Sequence, residues 1–171
     1  MITPEYSHMI DLRQITDEPV VLEPSESERR RLAGRFGITA IDTMKAVLRM
    51  TVDGSKVEAK GKLTAQIIQA CAISGEDFPV SISETIALRF VHPAKAYAPD
   101  EEIEISADDL DEIEYEGTSF DLGEAVAQSL ALAIDPFAEG PDADKARKEH
   151  KLGGDIASGP FAGLSALKTK D

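Results

Sequence analysis

The strongest pattern along the chain is an alternation of apolar and polar residues in its middle third. Val57, Ala59, Leu63, Ala65 and Ile67 alternate with Glu58, Lys60, Lys62, Thr64 and Gln66. A period of two puts one set on a core face and the other in water. Before this run, Ile38 to Val52 is rich in aliphatic and β-branched residues, and Asp53-Gly54 is a hairpin turn signal. After it, the turn Ser74-Gly75-Glu76-Asp77 leads to a second alternation. There Val80, Ile82, Ile86, Leu88 and Phe90 face one way, and Ser81, Ser83, Thr85 and Arg89 the other. These segments predict three antiparallel strands in a meander, the third ended by His92-Pro93 because proline has no ladder donor.

Helical signals flank the meander. Ser25-Glu26-Ser27-Glu28 has the spacing of a capping box, so a helix is predicted to Phe36, with Gly37 closing it in the left-handed conformation. Leu32, Ala33 and Phe36 are its expected core contacts. Asp121-Leu122-Gly123-Glu124 is a second capping signature, opening a helix with the stripe Leu122, Val126, Leu130, Ala133 and Ile134 that Asp135-Pro136 stops. Tyr6–Ile15 and Asp111–Gly117 are expected as further strands, and Ile103 and Ile105 as a short edge strand. The fold class is therefore α+β: an antiparallel β-meander sheet or partial barrel packed with two helices. Residues 1–137 form the expected single domain. Residues 138–171 lack sustained periodicity and are expected as a flexible C-terminal tail carrying a small apolar island at Phe161, Leu164 and Leu167.

Composition narrows the chemistry. The chain has 171 residues, a net charge of -14, 42% hydrophobic residues, no Trp and 5% aromatics. This composition suits a packed core and argues against a stacking platform for single-stranded nucleic acid. No run approaches the roughly 20 apolar residues that span a bilayer, and the N-terminus lacks the regions of a signal peptide, so a cytoplasmic protein is expected. The lone Cys71 excludes an intrachain disulfide framework and a multi-cysteine metal site.

Charge is unevenly spread. Nine basic residues against three acids give +6 between Arg29 and Lys62, whereas Asp100 to Glu124 holds twelve acids and no Lys or Arg. A net negative chain repels polyanions at long range, so nucleic-acid contact requires the cations to gather within about a Debye length, ~8–10 Å. The candidates for RNA contact are Arg29, Arg30, Arg31, Lys45, Arg49, Lys60, Lys62 and Arg89. The plainer reading of the same residues is a solvated sheet face whose lysines discourage edge aggregation. The acidic stretch fits a solvated loop or a surface for a basic ribosomal protein, and lacks the spacing of a calcium loop. No phosphate-binding glycine loop occurs. His8, His92 and His150 lie in three separate segments, and sequence distance does not exclude a Cys71–His pair because such pairs meet in space. Free cysteine is nevertheless among the most buried residue types, which favours a small apolar residue at a strand end over a nucleophile. No catalytic residue, cofactor, metal, membrane contact or small-molecule substrate is expected.

The order of features resembles a known family. The strand ending in Cys71, the turn Ser74-Gly75-Glu76-Asp77-Phe78, the strand Val80–Phe90 and an acidic stretch come first. Phe120-Asp121-Leu122-Gly123-Glu124-Ala125-Val126 then opens the helix Gln128-Ser129-Leu130-Ala131-Leu132 before Asp135-Pro136. This is similar to the YceD family, bacterial proteins of large ribosomal RNA subunit accumulation, as is the ending Gly-Pro-Phe-Ala-Gly-Leu-Ser-Ala-Leu-Lys at 159–168. Many members carry Cys-x-x-Cys where this chain has Cys71-Ala72-Ile73-Ser74, and serine does not replace a thiolate zinc ligand. The resemblance implies a non-enzymatic factor for accumulation or processing of 23S ribosomal RNA and assembly of the large subunit, partnered by ribosomal RNA or a pre-ribosomal particle. The alternative is a protein–protein adaptor that docks a partner through Phe161, Leu164 and Leu167 and the acidic surface.

Overall fold

The computed structural model describes residues 4–93, 112–150 and 152. They fall into two compact units, Met1–Gln69 with Pro79–Asp135, and Ala70–Phe78 with Pro136–Asp171.

The first unit is built on long strands. The aliphatic run forms β3 (Ala40–Asp53), and the alternating run forms β4 (Lys56–Ala70). They pair antiparallel from Ala40↔Ile68 to Asp53↔Lys56, around a turn in which Gly54 has φ 62°. The second alternation forms β5 (Asp77–Val91) beside β4. Gln66 meets Ser81 and Glu58 meets Arg89, so residue numbers rise along one strand as they fall along the other and this pair is antiparallel too. The expected meander is present. Two short strands complete an open five-stranded sheet in the order β2-β3-β4-β5-β6. They are β2 (Val20–Leu22), antiparallel to β3, and β6 (Glu112–Glu114), parallel to β5. The sheet does not close into a barrel. Its bulge at Asp42 lets Thr43 resume the register with Gln66.

One face of this sheet carries the core. Ala46, Leu48, Val57, Ala59, Leu63, Ile67 and Phe90 are fully buried there. At roughly 1.5–3 kcal/mol for each large apolar side chain, this alternation is the main source of stability. Helices α1 (Glu26–Phe36) and α2 (Leu122–Ala133) supply Leu32, Ala33, Leu122, Val126 and Leu130 to the same cluster. Both helices of this unit therefore cover the inward face, and neither covers the other face.

The caps follow the sequence closely. Ser25 Oγ accepts from the Glu28 N–H while Glu28 accepts from the Ser25 N–H, and Gly37 closes α1 at φ 66°. Asp121 Oδ1 accepts from the Glu124 N–H at 3.1 Å to start α2.

The N-terminal segment differs from the expected strand over Tyr6–Ile15. Only β1 (Met9–Asp11) is extended, and a 3-10 turn follows at Leu12–Gln14, where Asp11 accepts from the Arg13 N–H. β1 pairs with β7 (Ser119–Asp121), placing Ile10 opposite Phe120. Phe120 stacks on Phe90 with ring centroids 4.1 Å apart. The segment crosses α2 at Gly123, where a Cβ would lie 2.5 Å from the His8 nitrogen. The expected strand over Asp111–Gly117 narrows to β6, and the expected edge at Ile103 and Ile105 lies outside the described residues.

The second unit holds the turn after β4 and a short helix, α3 (Ala143–Glu149). The Cys71 N–H donates to the Glu76 carbonyl and the Ala72 N–H to the Ala138 carbonyl, tying the turn to the segment before α3. No helix was expected here. Its buried side chains are the alanines Ala143 and Ala146, too small to make a visible apolar stripe, and Arg147 ties the helix through Glu139 and Asp144.

Candidate nucleic-acid interface

The pairing of β3 with β4 decides where the strand cations stand. Residues directly opposite in an antiparallel pair project to the same side. The inward pairs are Ala46↔Leu63, Leu48↔Gly61 and Met50↔Ala59. Lys45↔Thr64, Val47↔Lys62, Arg49↔Lys60 and Thr51↔Glu58 therefore share the uncovered face, and all but the half-buried Glu58 are exposed. Lys45 and Arg49 are four residues apart on one strand, about 13 Å at 3.3 Å per residue, with Lys62 opposite the midpoint between them. Val21 lies opposite Val47 and extends that row to the sheet edge; the two valines are 51% and 38% exposed.

This face depends on Gly61. Built there, a Cβ would lie 1.9 Å from the Val47 carbonyl oxygen and 2.9 Å from the Leu48 Cα. The missing side chain lets β3 approach β4 closely between Lys60 and Lys62.

The cations differ in what restrains them. Lys60 Nζ lies 2.7 Å from Glu58 Oε2, and an Arg89 nitrogen lies 3.2 Å from Glu58 Oε1. Arg89 also reaches Glu112 at 3.5 Å. The Lys60 ammonium, followed by Arg89, holds the Glu58 carboxyl below the usual carboxylate range. No side-chain partner among the described residues restrains Lys45, Arg49 or Lys62.

The α1 arginines are elsewhere. Arg29 donates from Nε to the Ile41 carbonyl at 3.2 Å and from a terminal nitrogen to the Pro24 carbonyl at 2.8 Å, fastening the helix start to β3. Arg30 pairs with Glu26 at 3.1 Å. Arg31 is exposed, and its charge assists the Ser25 hydrogen bonds in keeping Glu28 ionised. Because α1 packs on the covered side, these three do not join Lys45, Arg49, Lys60 and Lys62. Arg35 is a clamp: it grips Glu124 of α2 at 2.8 and 2.9 Å and Glu5 at 3.0 Å.

Several acids of the 112–124 stretch are thus used internally. Glu112 faces Arg89, Glu124 faces Arg35, and Asp121 caps α2 while accepting from Ser7 and the His8 N–H. Sequence reasoning missed Glu58 as the shared neutraliser, although the period-two pattern already put it on the face of Lys60. The candidates Phe161, Leu164 and Leu167 lie outside the described residues.

Cys71 is buried, 4% exposed. Its Sγ accepts from the Ser74 and Ile73 N–H groups at 3.3 and 3.4 Å. Hydrogen bonds from the Ser74 side chain and backbone, then from the Gly140 N–H, bring the thiol down to about 7. Ser74 stands where a second thiolate would be needed, and no three His, Cys, Asp or Glu side chains converge among the described residues, so the turn does not fit a zinc site.

The family model described as large ribosomal RNA subunit accumulation protein YceD matches residues 59–168, more than half of the chain. No match was found among curated proteins or among solved structures. No helix among the described residues is long and apolar enough to cross a membrane. The matched span takes in β5, β6, β7 and α2 and all but the first three residues of β4, the order of elements on which the resemblance rests, and the chain belongs to the YceD family, named for accumulation of large-subunit ribosomal RNA.

Proposed function

We propose that this chain is a non-enzymatic, cytoplasmic factor for accumulation of 23S ribosomal RNA and assembly of the large subunit. In this reading it meets ribosomal RNA, free or in a pre-ribosomal particle, through the uncovered face of its sheet. The observation that carries the proposal is the grouping of Lys45, Arg49 and Lys62 on that face without acidic partners among the described residues, in a chain of net charge -14. Lys60 and Arg89 border the group under partial restraint by Glu58. Three cations neutralising three phosphates give a salt slope of roughly -2.1 on a single strand and -2.7 on a duplex. Between 50 and 200 mM salt, affinity then falls by about 20- to 40-fold.

The test is depletion followed by complementation. Depletion should lower 23S RNA and large-subunit peaks in gradients, and the wild-type chain should restore both and co-sediment with precursor particles. The triple variant Lys45→Gln/Arg49→Gln/Lys62→Gln should fold with an unchanged melt and fail to restore them. Normal 23S RNA after depletion defeats the proposal. Full rescue by the triple variant defeats its assignment to this face.

A further inference from the structure

The uncovered face has the chemistry of a backbone reader, and from this we infer that its ligand is the sugar–phosphate backbone of paired RNA, recognised without reading bases. The inference rests on the RNA-binding reading above and adds the form of RNA bound.

Single-stranded RNA is held chiefly by stacking its bases on aromatic side chains, worth roughly 1–3 kcal/mol per base. This face has none among the described residues. Tyr6, Phe90, Tyr115 and Phe120 are buried in the core, and Phe36 packs against it. Phe78, half-buried at the start of β5, has the parity of the inward Val80 and Ile82, and Phe137 belongs to the second unit. What the face presents is cations at Lys45, Arg49 and Lys62, hydroxyls at Thr43 and Thr51, and the exposed Val47 between them. Paired RNA suits that set, because it is recognised by shape and by contacts to phosphates and 2′-hydroxyls across its shallow minor groove. The sheet is open and its cations are spaced along strands, so the arrangement matches a rigid row of charges better than a chain that must be splayed. Val21 and Val47 give apolar contact to riboses.

Fluorescence anisotropy with the full chain tests this, using a fully paired RNA hairpin and an unpaired oligo-uridine of equal phosphate number. The hairpin should bind at least fivefold more tightly at matched salt, and scrambling its stem with pairing preserved should leave Kd within twofold. Lys45→Gln/Arg49→Gln/Lys62→Gln should lose hairpin binding at least tenfold with an unchanged melting curve. Oligo-uridine binding as tightly as the hairpin, or stem scrambling that costs tenfold, overturns the inference and leaves the RNA-binding reading standing. Failure of both probes to bind at 50 mM salt overturns that reading as well.

Discussion

Replacing Glu58 by glutamine removes the carboxylate shared by Lys60 and Arg89 while keeping the side chain's length. Lys60 loses its contact at 2.7 Å and Arg89 one at 3.2 Å, but Arg89 keeps the looser contact to Glu112 at 3.5 Å. The face therefore gains between one and two working cations beyond Lys45, Arg49 and Lys62. At about 0.9 per phosphate on a duplex, the salt slope should steepen from roughly -2.7 to between -3.6 and -4.5. If the electrostatic difference vanishes near 1 M salt, the affinity gain at 50 mM is about 15- to 200-fold, an upper range because ordering two long side chains opposes it. The assay is anisotropy with the paired RNA hairpin over 50–300 mM salt, with Glu58→Gln/Lys60→Gln as the companion. That double variant should give back about one unit of slope. A Glu58→Gln slope equal to wild type, in a protein with unaltered circular dichroism, would refute the claim that Glu58 holds these two cations back.

The remaining predictions concern the scaffold. Gly61→Ala forces a methyl to within 1.9 Å of the Val47 carbonyl, so it should destabilise by roughly 1–3 kcal/mol or more in urea titration. Gly34→Ala meets nothing within 4 Å inside α1 and should instead gain up to about 1 kcal/mol. An unchanged urea midpoint for Gly61→Ala would mean the strands do not approach as described. Ser25→Ala breaks one half of the capping box and should cost about 1 kcal/mol, lowering Tm by roughly 2–4 °C; no shift would show that α1 does not depend on its cap. For Cys71 the folded thiol lies near 7, below its unfolded value, so its contribution to stability is complete above the unfolded value and disappears as pH falls through about 7. Stability should rise from pH 7 to 9 in wild type and less in Cys71→Ala, and slow alkylation should show a midpoint near pH 7; a midpoint at 8.5 or above contradicts the hydrogen bonds to Sγ.

What could be read from the sequence is what local rules control. The Ser25 and Asp121 caps, Gly37, the Asp53-Gly54 turn and the inward sets of β4 and β5 depend on spacing within a few residues. Each is present. β2 and β7 are three residues long and are extended because Val20–Leu22 and Ser119–Asp121 find distant partners, which no local pattern announces. The parallel pairing of β6 with β5 is of the same kind. The site divides along the same line. Alternation was enough to put Lys60, Lys62 and Arg89 on outward faces. Register was needed to set Lys45 and Arg49 among them and to separate the α1 arginines, which resemble the strand cations in sequence but sit on a helix that packs on the covered side, Arg29 held by the Pro24 and Ile41 carbonyls and Arg30 by Glu26.

Register also explains how so acidic a chain keeps a local positive face. Pairing Arg49 with Lys60 places two like charges side by side, with Lys62 two residues further along the same face, an arrangement that disfavours the sheet in isolation. It survives because the opposite faces of the same strands bury Ala46, Leu48, Ala59 and Leu63, whose burial outweighs repulsion between solvated charges. Glu58 relieves part of that repulsion at one end, and Glu112 and Glu124 are drawn to Arg89 and Arg35. At physiological ionic strength, fields from charges beyond about 8 Å are largely screened, so a phosphate held at the sheet responds to the lysines beneath it more than to the chain's total charge. Under the proposed function, net charge governs the approach of RNA to this protein, and the local pairing of β3 with β4 governs what happens on contact.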